Sequence, residues 1–170
     1  IIFQSNKRFR KKSVEDEGDV LFQNIISGQN KDNVWPMFLM YLTGKQQNFI
    51  VFAKQTYCNV TDAFVAENLR VLDRAEHKLK YEKRMLKNDR RKETLCLRQL
   101  NKELAIEKST WFYLGNNCCM SILYNLHRIN EICKEHTENN FRPLPLEYTD
   151  DFKLIRSQVN ALFDETIDMI

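Results

Sequence analysis

The chain has 170 residues, 43% hydrophobic and 29% charged, too apolar for a disordered segment and long enough for one domain that buries about 70% of its unfolded surface. Only four Gly and three Pro are present, so turns are few and the elements must be long. The formal charge of +3 is too mild to argue for nucleic acid, and no apolar run approaches the ~20 residues that cross a bilayer.

Residues 1–14 form a basic segment, with Lys7, Arg8, Arg10, Lys11 and Lys12 close together. It lacks the long apolar core of a signal peptide. The abrupt start and the apolar end "DETIDMI" predict a piece of a larger protein. Residues 15–44 predict two short helices. The first carries Val20, Leu21, Ile25 and Ile26, with Gly28 as its stop;. The second follows a cap at Asp32 or Asn33, tolerates Pro36 in its first turn, buries "MFLMYL" and ends at Gly44;.

Residues 45–170 predict a helical bundle. No Gly or Pro occurs between Lys45 and Leu114. A single helix over that stretch would run about 105 Å, against a radius of gyration near 15 Å for a compact chain of this length. The chain must therefore fold back, and the helical spacing lapses near "LRQLNK" at 97–102. Before that reversal, Phe64, Leu69, Leu72, Leu79 and Leu86 mark one apolar stripe;. Residues 73–93 add nine Lys or Arg against five Asp or Glu, a solvated and positively biased face. After the reversal, Trp111, Gly115, Cys118, Ile122, Leu126, Ile129, Cys133 and His136 recur at helical spacing and predict a buried seam;. In the last element Thr149 is the expected cap, and Phe152, Ile155, Val159 and Leu162 the apolar face;. The fold class expected is all-α, with two short helices followed by three long antiparallel ones.

The five cysteines form an odd set without a CxxC pair, which favours reduced thiols;. Cys133 and His136 stand three residues apart and could share a metal, but a tetrahedral site needs two more ligands that nothing in the sequence places there;. Cys118 and Cys119 lie about 20 Å away along the same helix axis. The plainer reading is a small hydrophobe and a hydrogen-bonded imidazole at the end of a core. His127, Glu131, Glu135 and Glu138 share a second face, and charged residues on an outer helix face are usually only solvated;. Ser109, Thr110 and Ser121 have no evident base partner, and no Gly-rich phosphate loop occurs;. No catalytic, metal or cofactor residue is assigned.

The segment "EHTENNFRPLP" ends a helix: Asn139 or Asn140 suits the left-handed cap, and Pro143 and Pro145 prevent resumption;. Together with "WFYLG" and "ILYNLHRINEI", this motif, with Glu135, His136, Asn139, Asn140 and Pro143, resembles the PhoU-like helical region of bacterial PiT-type inorganic phosphate transporters. The likeness extends back through "DAFVAENLRVLDRAEHKLKYEKRMLK" and forward into the last helix. It implies a non-enzymatic module on the cytoplasmic face of the bacterial inner membrane that modulates phosphate uptake or signals phosphate status. Its implied partners are the membrane part of the same transporter and, through Lys7, Arg8, Arg10, Lys11 and Lys12, anionic lipid. The metal-binding Glu-x-x-x-Asp motifs of PhoU proteins do not carry over. Glu15/Asp19 and Glu147/Asp151 fall outside the long central helices, and inside them only Glu103/Glu107 and Glu131/Glu135 come near. The alternative reading is a free-standing adaptor that self-associates through the leucine stripe. Nucleic-acid binding is the weakest reading, because acids are interspersed among the bases.

Overall fold

The computed structural model describes residues 20–25, 27, 31–98 and 102–170, and of 31–35 and 102–108 the backbone alone. Helix α1 covers residues 20–25. Four long helices follow: α2 (Lys31–Val65), α3 (Leu69–Arg98), α4 (Lys102–Glu138) and α5 (Leu146–Met169). No strand occurs among the described residues. The all-α expectation stands, but among the described residues with one short and four long helices.

The second short helix is instead the first part of α2, which runs unbroken through Gly44. Phe38 before it and Phe49 and Ile50 after it are all buried on the bundle side. A single glycine costs a helix only about 1 kcal/mol, less than the burial it would forgo by stopping. Because α2 starts at Lys31, Pro36 falls in its second turn rather than its first.

α3 ends at Arg98 and α4 begins at Lys102, on either side of the stretch where the helical spacing lapses. A turn at 66–68, between α2 and α3, cuts the expected stripe between Phe64 and Leu69. There Asn68 donates its amide to the Ala63 carbonyl at 2.8 Å and Glu67 to that of Phe64 at 3.1 Å. Glu67 takes φ 50°. This is a Schellman-type end with glutamate in the left-handed position that glycine normally fills. The Asn68 side chain then accepts from the Val71 amide at 3.3 Å and caps α3;. The α4 end repeats the pattern, with Phe141 bonded to the His136 carbonyl at 3.2 Å and Asn140 at φ 50°. Before α5 the N-cap is Pro145, and no side chain caps it. Thr149 is already inside the helix, its hydroxyl turned back onto the Pro145 carbonyl.

Helices α2, α3 and α4 pack on one another, whereas the backbone of α5 runs beside α2. On α3 the buried positions are Leu72, Ala75, Leu79, Leu86, Glu93, Cys96 and Leu97, a heptad pattern with Leu97 added at its end;. On α4 they are Phe112, Asn116, Cys119, Leu123, Leu126, Asn130 and Cys133. The expected α4 seam is therefore one residue out of step in its first half. Trp111 is 71% exposed, Cys118 is exposed, and Phe112 and Cys119 are the buried neighbours. The α5 face is displaced likewise. Ile155 and Leu162 are exposed, while Val159, Phe163 and Ile167 pack on the core around Phe49, Tyr57 and Leu126. Leu72 and Leu79 are fully buried, and each such side chain contributes about 1.5–3 kcal/mol.

Candidate functional site

α5 is tied to α2 by the pairs Lys54–Asp164 and Asp62–Arg156, and the charged side chains of α3 meet a neighbouring helix at two further places, both built the same way. One lysine from a neighbouring helix reaches two acids of α3. Near the α1 end, Lys45 of α2 lies 2.5 Å from Glu93 and 3.2 Å from Asp89. Near the 66–68 turn, Lys134 of α4 lies 2.7 Å from Asp73 and 2.8 Å from Glu76, with Glu138 at 3.7 Å. Lys80 adds a second cation to Glu76. Acids of α3 at three- and four-residue spacing share one side of the helix, so one ammonium can reach both.

Solvent separates the two clusters. Glu93 is wholly buried and its Oε2 has no hydrogen-bond partner among the described residues. Burial pushes its carboxyl above the ordinary range, against the pull of Lys45, and the negative charge of Asp89 adds to the rise;. The side chains of Phe49, Leu86, Phe112, Asn116 and Cys119 close around it, leaving a void of about 10 Å³. That is scarcely room for one water, so the cluster is packing and not a ligand pocket. Glu76 is part-exposed, and the hydrogen bond from Lys134, followed by that from Lys80, draws its carboxyl down to about 2. Hydrogen bonds to Asp73 and then Glu76 push Lys134 up.

Above the buried cluster, Gly115 of α4 faces the Gln46 side chain. A Cβ there would collide with the Gln46 amide nitrogen. Glycine at this position serves close approach, in keeping with the contact that its place on the expected seam suggested. Asn130 is also buried on α4, with Oδ1 unpartnered among the described residues.

The segment singled out from the sequence forms a helix end. Glu135 is exposed and its carbonyl accepts from the Asn139 side chain at 2.8 Å. The His136 ring stands edge-on to Phe64 at 5.2 Å and to Phe141 at 5.6 Å. Asn140 takes the left-handed turn and Pro143 lies exposed beyond it. Cys133 is buried, and desolvation pushes its thiol up to about 11, as it does those of Cys96 and Cys119. Such thiols are poor nucleophiles and poor ligands. All five cysteines are unpaired.

His127 Nδ1 lies 3.2 Å from Glu131, with Glu135 and Glu138 exposed along the same helix. Among the described residues no group of three or more His, Cys, Asp or Glu side chains could hold a metal ion. Ser121 borders an open hollow of about 440 Å³ with Arg90, Asn117, Met120, Tyr124 and Asn125, and none of these could act as its base;. The basic cluster at Lys7, Arg8, Arg10, Lys11 and Lys12 lies outside the described residues.

The interhelical lysine–acid clusters escaped the sequence reading, although a signal was present. Leu72, Leu79, Leu86 and Glu93 are spaced by sevens, as are Asn116, Leu123 and Asn130. A polar residue on a continuing heptad position marks a buried polar group. No helix among the described residues is long and apolar enough to cross a membrane. No family model, no curated protein and no solved structure matches this chain.

Proposed function

We propose that the chain is a non-enzymatic, PhoU-like regulatory domain of a PiT-type inorganic phosphate transporter, acting at the cytoplasmic face of the bacterial inner membrane. The sequence motif around residues 106–145 carries this reading. The geometry is consistent with a packing module. The acids that α3 turns toward its neighbours are each met by a lysine, and the hollows beside Arg90 are open. Its partners are then the membrane part of the same transporter and anionic lipid, and its effect is on phosphate uptake or on the signalling of phosphate status.

The test is genetic. The gene segment upstream of Ile1 is expected to encode membrane helices, and deleting residues 1–170 to change the rate of radiolabelled phosphate uptake by whole cells. An upstream segment without membrane helices sinks the transporter reading.

A second reading, a self-associating adaptor, loses its first motivation. Leu72, Leu79 and Leu86 are consumed in the monomer core. A different row favours it: Tyr148, Ile155, Leu162 and Met169 of α5, spaced by sevens, are 54%, 55%, 61% and 79% exposed. Sedimentation decides it, since a strict monomer at micromolar concentration counts against this reading.

A further inference from the structure

The charges of this protein are sorted by helix. α3 carries eleven Lys or Arg against five Asp or Glu, and α5 carries two against six. The two helices do not run side by side: the backbone of α5 neighbours that of α2. Within α3 the sorting continues around the helix. Asp89 and Glu93 meet Lys45, and Asp73 and Glu76 meet Lys134. Glu82 is half-buried and engaged. Positions opposite the buried heptad hold Arg70, His77, Arg84, Arg91 and Arg98, spaced by sevens and all exposed. Arg74, Lys80 and Lys87 flank this row and are exposed too.

Side chains seven residues apart point within about 20° of one another. The row is therefore a ridge about 42 Å long that drifts by roughly 80° around the helix from Arg70 to Arg98, with a cation about every 10.5 Å wherever arginine holds the position. Among the described residues Arg70, Arg84, Lys87, Arg91 and Arg98 form no ion pair. Tyr81 and Leu95 stand beside the ridge, 36% and 50% exposed, and Arg84 lies 5.5 Å over the Tyr81 ring. Arg90, Arg91 and Arg98 border an open hollow with Thr94 and Leu95.

We infer that the outer face of α3 docks flat against an anionic lipid bilayer. The two ends of the ridge turn about 40° to either side of its middle, which long arginine and lysine side chains span to reach a plane, whereas the phosphates of a duplex wind away from it. Tyrosine and leucine among the bases suit the headgroup boundary. The acidic α5, on a different side of α2, then faces away from the lipid and fixes which way the molecule lies. The inference rests on the membrane-side reading above only in that a bilayer must be near.

The test is flotation of the full chain with phosphatidylcholine vesicles, with and without phosphatidylglycerol. The parent is expected to bind only the anionic vesicles, and less as salt rises. The variant R84Q/K87Q/R91Q weakens binding by about 100-fold, at about fivefold per base removed near the surface. R70Q/R98Q, at the two ends of the ridge, weakens it by about 25-fold and guards against misfolding of the triple variant. Helical circular dichroism checks both. Three results overturn the inference: no binding to anionic vesicles, both variants binding as the parent does while K7Q/R8Q/R10Q/K11Q/K12Q abolishes it, or tighter binding to duplex DNA at the same salt. If the vesicles fail but deletion still alters phosphate uptake, this face is wrong and the transporter reading survives.

Discussion

The buried Lys45–Asp89–Glu93 cluster and the half-wet Asp73–Glu76–Lys134 cluster use the same three residue types in the same arrangement, yet their acids shift in opposite directions. Glu76 is held down to about 2 and Glu93 is pushed up. The partners are equally close, at 2.8 Å and 2.5 Å. What differs most is water: the Glu76 side chain keeps 22% of its surface exposed and Glu93 keeps 1%, while Glu76 also gains a second cation in Lys80 and Glu93 shares its lysine with Asp89. An ion pair that retains solvent gains from its partner, whereas a buried one must first offset the loss of hydration. One α3 helix thus carries a modest clamp at one end and a conditional one at the other.

Removing the lysines breaks this comparison most sharply. Lys45→Met leaves two carboxylates against apolar neighbours and is expected to cost about 3–5 kcal/mol at neutral pH, recovered in part as acid protonates Glu93. Lys134→Met leaves Asp73 and Glu76 in contact with water and should cost clearly less. Urea unfolding of the two variants measures this, and equal losses would mean that burial is not what separates the clusters.

The pH dependence separates them next, and with opposite sign. Glu76 lies below its ordinary 4.5 in the folded chain. Its contribution is therefore complete above 4.5 and fades as pH falls toward about 2;. Glu93 lies above 4.5, so its contribution is complete below that value and is lost as pH rises through the raised one;. Glu76→Gln is expected to flatten the acid limb of the stability curve, and Glu93→Gln the limb toward neutrality, with stability at neutral pH within about 1 kcal/mol of the parent. Curves that change on the same limb in both variants would erase the distinction.

Much of the helical layout was legible, and its gaps have particular causes. Asn140 announced the end of α4, because asparagine readily takes the left-handed turn;. Glu67 makes the same turn at the end of α2 without announcing it, so the 66–68 reversal was hidden. On α4, Asn116 and Asn130 occupy seam positions. Reading only apolar residues therefore moved the ridge one step, to Trp111 and Cys118. On α5 the half-buried Arg156, paired with Asp62 at 2.6 Å, broke the apolar pattern and moved the reading to Ile155 and Leu162 in the same way. Glu93, a charge on a leucine heptad, is the extreme case. The polar residues of the interior are what the sequence concealed, and they are also what joins α3 to its neighbours.

Two glycines give the finest probe of how tightly α2 is held beside the buried cluster. Gly44 adjoins Lys45 in the interior of α2, and a methyl group there would meet nothing within 4 Å. Gly44→Ala should therefore add only helix propensity and fewer unfolded conformations, raising stability by about 0.5–1 kcal/mol. Gly115→Ala gains the same propensity but must displace the Gln46 amide. Because that amide ends a flexible side chain, the displacement should offset the gain and leave a net change within about 1 kcal/mol of zero. The pair is read by thermal unfolding. If Gly44→Ala destabilises, the helix is not continuous at that point, and Lys45 would no longer be held by α2 in reach of Glu93. If Gly115→Ala matches Gly44→Ala, the contact between α2 and α4 above the buried cluster is looser than the Gln46–Gly115 approach requires.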